Sequence, residues 1–178
     1  MYCRSAVGRT IVPELKLLSR EGIPSALDKA VRYRLLGQPW EAESIYLDVL
    51  QVDQNNQPAL VGLLLALTDQ FDQHLSGVLG RAREVLPRIR DYYERDYYAG
   101  IVCERRAKAI LHRARPGDDK MASDLLHEAM SFYETAETLR SPGDDDALLR
   151  WNACARLAAR HPHVEATAEE HFEPYTDA

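Results

Sequence analysis

Apolar residues recur three and four positions apart along almost the whole chain, a period that admits helices and leaves little room for a sheet. Residues 39–52 show the pattern: Ala42, Ile45, Tyr46, Val49 and Leu50 share one helical face, and that face must be buried. Strand signals are scarce. No run of β-branched residues alternates with polar ones, and no Asn-Gly or Asp-Gly turn joins apolar segments. The pattern predicts an all-α protein.

Proline, glycine and acidic clusters divide this periodic sequence into helices. Pro13 and Gly22 bound a short first helix, and Pro24 sits in the first turn of the next, over Ser25 to Leu36, which Gly37 stops. Pro39 to Val52 follows, then the polar break 53–56. A helix opened by Pro58 then runs through Leu60, Leu63, Leu64 and Leu67 to about Phe71, apolar on nearly every side and so packed between neighbours. Leu75, Val78, Leu79, Ala82, Val85, Leu86 and Ile89 make a further stripe that Pro87 kinks or ends. A long helix over Asp91 to Ala114 leads to the loop 115–119. Lys120 to Leu139 follows, with Leu125, Leu126, Ala129, Met130, Tyr133 and Ala136 inward. After the Ser141-Pro142-Gly143 turn, Asp144 to Asp146 supply negative charge for the positive end of a last helix, Ala147 to Arg160. Leu148, Trp151 and Ala155 are expected to face in, and Arg150, Arg156 and Arg160 out. The expected organisation is an N-terminal arm over 1–12, a helical domain over 13–160 and an acidic tail over 161–178.

A chain of 178 residues with 46% hydrophobic content suits one domain with its own core. Its net charge of -6 disfavours general affinity for nucleic acid or anionic membrane. The longest apolar run, Leu60 to Leu67, is interrupted by Gly62 and falls short of the roughly 20 residues that span a bilayer. Cys3, Cys103 and Cys154 are an odd set without CxxC spacing, which suits a reducing compartment. With no apolar leader in the first residues, cytoplasm is the expected location.

Internal repetition is the decisive test for paired short helices. In 26–56, small Ala26 and Ala30 precede Tyr33 and Gly37. Glu41-Ala42, Tyr46 and Val49 then lead to 52–56. A step of about 34 residues places Leu60, Leu64, Leu67 and Phe71 where Ala26, Ala30, Tyr33 and Gly37 stood. Downstream, Glu128-Ala129, Tyr133, Ala136 and Leu139 to Pro142 repeat the second-helix pattern, with Tyr97, Gly100, Ile101 and Cys103 on the partner helix. In these residues the chain resembles a tetratricopeptide repeat protein. Gln54 stands where the family usually has proline, and Ala26 where it has a larger aromatic residue. The resemblance implies a right-handed solenoid of about three irregular helical hairpins with a C-terminal capping helix. Ala30 and Ala42 would then let backbones approach, while Tyr33, Tyr46 and Trp40 fill gaps between hairpins.

Signals of catalysis are weak. The chain has no phosphate-cradling glycine loop, no HExxH and no GxSxG. Cys103 lies on an apolar face near Arg105 and Arg106 without a histidine positioned as its base. His161, His163 and His171 lie among tail glutamates, but zinc needs ligands held by rigid elements. His112 and His127 suit surface positions. The expectation is a protein that is not an enzyme, with no cofactor and no metal.

Tetratricopeptide proteins bind extended peptides or helices in a concave groove lined by the first helix of each hairpin. Carried over, this implies a groove of Leu27, Val31, Arg34, Val61, Leu65 and Thr68, continued by Tyr97, Ile101, Glu104 and Arg105. These positions lack the lysines and asparagines with which some family members grip a chaperone's terminal carboxylate, so a hydrophobic or amphipathic segment is the expected ligand. The expected function is a non-catalytic adaptor whose partner is another protein or peptide, with a homodimer as a further form of association. The alternative is nucleic-acid binding by residues 81–115, where ten Arg or Lys stand against five Asp or Glu among Tyr92, Tyr93, Tyr97 and Tyr98. Packing of those tyrosines and pairing of the arginines along their helices is the simpler account.

Overall fold

The computed structural model describes residues 14–161, except the side chains of 74–76. Among the described residues seven α-helices follow one another: α1 (Ile23–Leu35), α2 (Pro39–Val52), α3 (Gln57–Thr68), α4 (Phe71–Val85), α5 (Tyr92–Arg113), α6 (Asp118–Leu139) and α7 (Asp146–Arg160). Two single 3-10 turns, Arg20–Gly22 and Leu86–Arg88, complete the order, and no strand occurs among the described residues. Local chemistry sets most boundaries. Prolines occupy the first turns of α1, α2 and α3. The Asn56 and Asp91 side chains accept from the Ala59 and Glu94 N–H groups at 3.0 and 2.8 Å, satisfying donors that the helix starts would leave bare. Gly37, at a φ of 72°, takes the left-handed turn after α1.

Three expectations need correction. Residues 14–19 are not helical; only the turn Arg20–Gly22 forms, capped by the Ser19 hydroxyl, and Pro13 lies outside the described residues. Phe71 does not close α3 but opens α4, because Asp69 and Gln70 make the break. The Gln70 side chain turns back to the Ala66 carbonyl at 3.1 Å and to Glu43 at 2.7 Å. Arg150 faces solvent only in part, its side chain 37% exposed. It reaches Glu104 at 3.3 Å, while Ala147 and Cys154 are the buried positions of α7. The expected arm and all but His161 of the expected tail, including Cys3, His163 and His171, lie outside the described residues.

Each helix packs against the next in sequence, as short connections require, and α1 touches α3 as α3 touches α5. Two apolar clusters result. One joins α1 to α4 around Tyr46, Leu60, Leu64, Leu67 and Phe71; the other joins α5 to α7 around Ile101, Ile110, Leu126, Tyr133 and Cys154. Helix α5 belongs to both, since Val102 and Ala109 enter the first, and Leu65 of α3 packs on the second.

A tyrosine against a glycine sets the helix spacing in each cluster. A Cβ on Gly62 would lie 2.3 Å from the Tyr46 ring, and one on Gly100 would lie 2.5 Å from the Tyr133 ring. Only glycine lets the facing helices approach this closely. Two buried carboxylates add polar ties. Glu43 pairs with Arg81 and Gln70, joining α2 to α4. Glu104, only 1% exposed, accepts from the Tyr133 hydroxyl at 2.7 Å and Lys108 at 2.5 Å and meets Arg150, so three helices converge on it. Burial works against its ionisation. Bonds from Lys108 and Tyr133, with the charges of Lys108 and Arg150, outweigh it and hold the carboxyl below its ordinary value.

Gly62→Ala and Gly100→Ala are each expected to cost a net ~1–2 kcal/mol in urea unfolding, because overpacking outweighs alanine's helix preference. Gly80→Ala, where an added Cβ meets nothing within 4 Å, is the control and should gain up to about 1 kcal/mol. A stabilised Gly62→Ala would overturn the account. The depressed Glu104 pKa contributes stability that is complete above the ordinary carboxyl value of 4.5 and is lost as pH falls through the lower folded value. The stability difference between the native chain and Glu104→Gln, followed by urea unfolding at several pH values, should therefore shrink below that point. A pH-independent difference would show that the Glu104 charge contributes nothing.

Candidate partner-binding groove

Helix α3 ends on an acidic residue, which is unfavourable beside the negative end of its dipole. That residue, Asp69, is stabilised by two guanidinium groups from other helices. Arg34 of α1 donates through Nε at 2.8 Å, and Arg105 of α5 pairs with the other carboxylate oxygen. The same Nη1 of Arg105 donates to the Thr68 hydroxyl at 2.6 Å and to the Leu65 carbonyl at 3.2 Å. Arg105 thus caps the end of α3 while α1 is drawn toward it. All three ionic side chains are roughly three-quarters covered or more, which makes them stronger than exposed surface pairs.

Two clefts meet at Asp69. The first, about 290 Å³, lies between the end of α1 and the start of α2 and α4, with Val31, Leu35 and Pro39 as its apolar wall and Arg34 and Gln73 as its polar one. The second, about 240 Å³, is bordered by Thr68, Phe71, Asp72, Arg105 and Lys108. Leu35 is 82% exposed and Val31 47% exposed, so the apolar wall of the first cleft faces water.

Of the ten residues expected to line a groove, Arg34, Leu65, Thr68 and Arg105 come together at this clasp, and Val31 borders it. Leu27 and Val61 pack against the first cluster and are partly covered. Ile101 and Glu104 lie in the interior, 2% and 1% exposed, so a ligand on this face would not reach them. Tyr97 is held between neighbours, its ring 5.9 Å from Tyr93, 5.3 Å from Tyr98 and 5.9 Å from Tyr133. Asp69, Leu35, Gln73 and Lys108 were not foreseen. A helical signal existed for three of them: Leu35 lies four residues beyond Val31, Asp69 four beyond Leu65, and Lys108 three beyond Arg105.

Of the ten basic side chains in the tyrosine-rich stretch 81–115, four have polar partners within the described residues. Arg81 pairs with Glu43, Arg88 donates to the Gln54 carbonyl at 2.7 Å, Arg105 meets Asp69 and Lys108 meets Glu104. Tyr92 is the exposed tyrosine of the group, and the Arg95 guanidinium sits 4.7 Å from its ring centre.

Burial pushes the Cys103 and Cys154 thiols up to about 12, with nearby Glu128 adding to it at Cys103 and Glu104 at Cys154. Both stay protonated at neutral pH, the unreactive form. His127 bonds the Ser123 carbonyl, while His112 and His161 stand 3.8 Å from Asp72 and Asp119. Among the described residues, no three His, Cys, Asp or Glu side chains form a group that could hold a metal. No helix among them is long and apolar enough to cross a membrane. No protein-family model matches the chain, and neither curated proteins nor solved structures include a significant match.

Proposed function

We propose that this chain is a non-catalytic adaptor, a short right-handed stack of tetratricopeptide-like hairpins that binds a segment of another protein across α1, α3 and α5. The observation that carries the reading is the meeting of Arg34 and Arg105 at Asp69, with an open cleft on either side. Alternate helices α1, α3 and α5 touch in turn, as the first helices of stacked hairpins do, and fully buried Ala30 and Ala42 sit where close helix approach is needed. The protonated state of both buried cysteines also favours a binding role over thiol chemistry.

The chemistry of the two clefts defines the segment. Val31, Leu35 and Pro39 offer a wall for an aliphatic side chain. The bonds of Arg105 run through Nη1, and Arg105 and the half-exposed Lys108 both border the second cleft, where an acidic residue would meet their charges. An amphipathic segment with an aliphatic anchor beside an acidic residue is the partner that satisfies both. Cytoplasm remains the proposed location.

Leu35→Glu alters an exposed side chain and Lys108→Gln removes the charge while keeping a donor for Glu104, so both should leave the helical circular dichroism spectrum intact. Affinity capture from the native cell is expected to recover a partner with the unmodified chain and to lose it, by about tenfold or more, with either variant. Undiminished recovery with both folded variants would remove this face from the reading.

A further inference from the structure

Arg105 and Arg106 are adjacent in sequence but about 100° apart around α5, so they serve different sides of it. Arg105 joins the Asp69 clasp. Arg106 turns toward α4 and α6, which both pack on α5 without extensive contact between themselves. The gap they leave is a cleft of about 120 Å³. Leu79, Leu86, Val102 and Phe132 make it apolar, and Arg83, Arg106 and Glu128 make it charged.

The charged side is unbalanced. Arg106 Nε is buried and has no hydrogen-bond partner among the described residues. Among the described residues no salt bridge is made by Arg83 or Arg106, and Glu128 is the one carboxylate among the residues lining the cleft. Arg106 thus keeps one donor shut away without an acceptor and its charge unpaired, and an anion meeting the part of Arg106 that borders the cleft would offset some of that cost. The space of about 120 Å³ is enough to take a hydrocarbon group of about four carbons.

We infer that this cleft binds a short branched aliphatic carboxylate, its hydrocarbon held among Leu79, Leu86, Val102 and Phe132 and its carboxylate accepting from Arg106 and Arg83. The chemistry is shared by a free branched-chain acid and by the last residue of a peptide ending in leucine. The site lies across α5 from the Asp69 clasp, so it stands or falls independently of the groove.

The test is a methyl and amide NMR titration of the full chain with 4-methylpentanoate, its neutral amide, acetyl-Ala-Ala-Leu and that peptide's amide. With so few ligand atoms, millimolar affinity is expected. The acids should shift Leu79, Ala99 and Val102 in a saturable manner, and each amide should bind at least about tenfold more weakly. Tighter binding of the peptide acid than of 4-methylpentanoate identifies a polypeptide C-terminus as the source; the reverse order identifies a free acid. Arg106→Met, which keeps the stem and removes the unpaired donor, should fold with equal or higher stability and lose the preference for acid over amide. Equal binding of acid and amide by the native chain, the absence of saturable shifts at these residues, or an unchanged preference in Arg106→Met would each overturn the proposal.

Discussion

Close approach of two helix backbones, bought by a glycine under a tyrosine ring, is the constraint from which the rest of this structure follows. Where Tyr46 lies on Gly62, α2 and α3 draw together; where Tyr133 lies on Gly100, α5 and α6 do. The two tyrosines hold corresponding places after Glu41-Ala42 and Glu128-Ala129, yet Tyr46 meets the helix that follows it and Tyr133 the helix that precedes it. From the second contact a polar chain continues outward. The Tyr133 hydroxyl donates to Glu104, and Glu104 draws in Lys108 and Arg150, so α7 is oriented by a hydrogen bond that depends on Gly100 lacking a side chain.

The helices were largely legible because their signals are local. Pro39, Gly37, Asp91 and the Ser141-Pro142-Gly143 turn act within one helical turn, and the predicted span Pro39–Val52 matches α2. The failures came where a distant partner decides. Phe71 continues the apolar spacing of α3, but the Gln70 side chain, bound to Glu43 on α2, helps fix the break before it. Arg150 is a partly exposed charge whose inward tie, to Glu104 46 residues away, no local signal could give. The clasp at Asp69 was half legible: the tetratricopeptide resemblance led to the expectation of Arg34 and Arg105 in one groove, but their common carboxylate lies 35 and 36 residues from them. Spacing along one helix carries no information about which ends of other helices will meet it.

Helix α5 organises the chemistry by dividing it. One side carries Arg105 and Lys108 toward the α1 and α3 ends, where charge is partly matched and apolar walls are open. The next residue round, Arg106, serves a smaller cleft in which charge is unmatched. Between them around the helix Val102 and Ala109 are buried, and no lining residue is common to the two surfaces. A protein with net negative charge can thus present two separate cationic points, because their placement depends on helix phase rather than on overall composition.

The membership of α5 in both apolar clusters also bears on how such a chain can change over generations. In a regular array a hairpin can be added or lost because each repeat touches only its neighbours in the same way. Here Val102 and Ala109 complete the cluster of the preceding helices, and Leu65 completes that of the following ones. A hairpin inserted ahead of α5 would separate those partners and strand both sets of side chains. Growth by duplication at this point would therefore cost both clusters part of their cores.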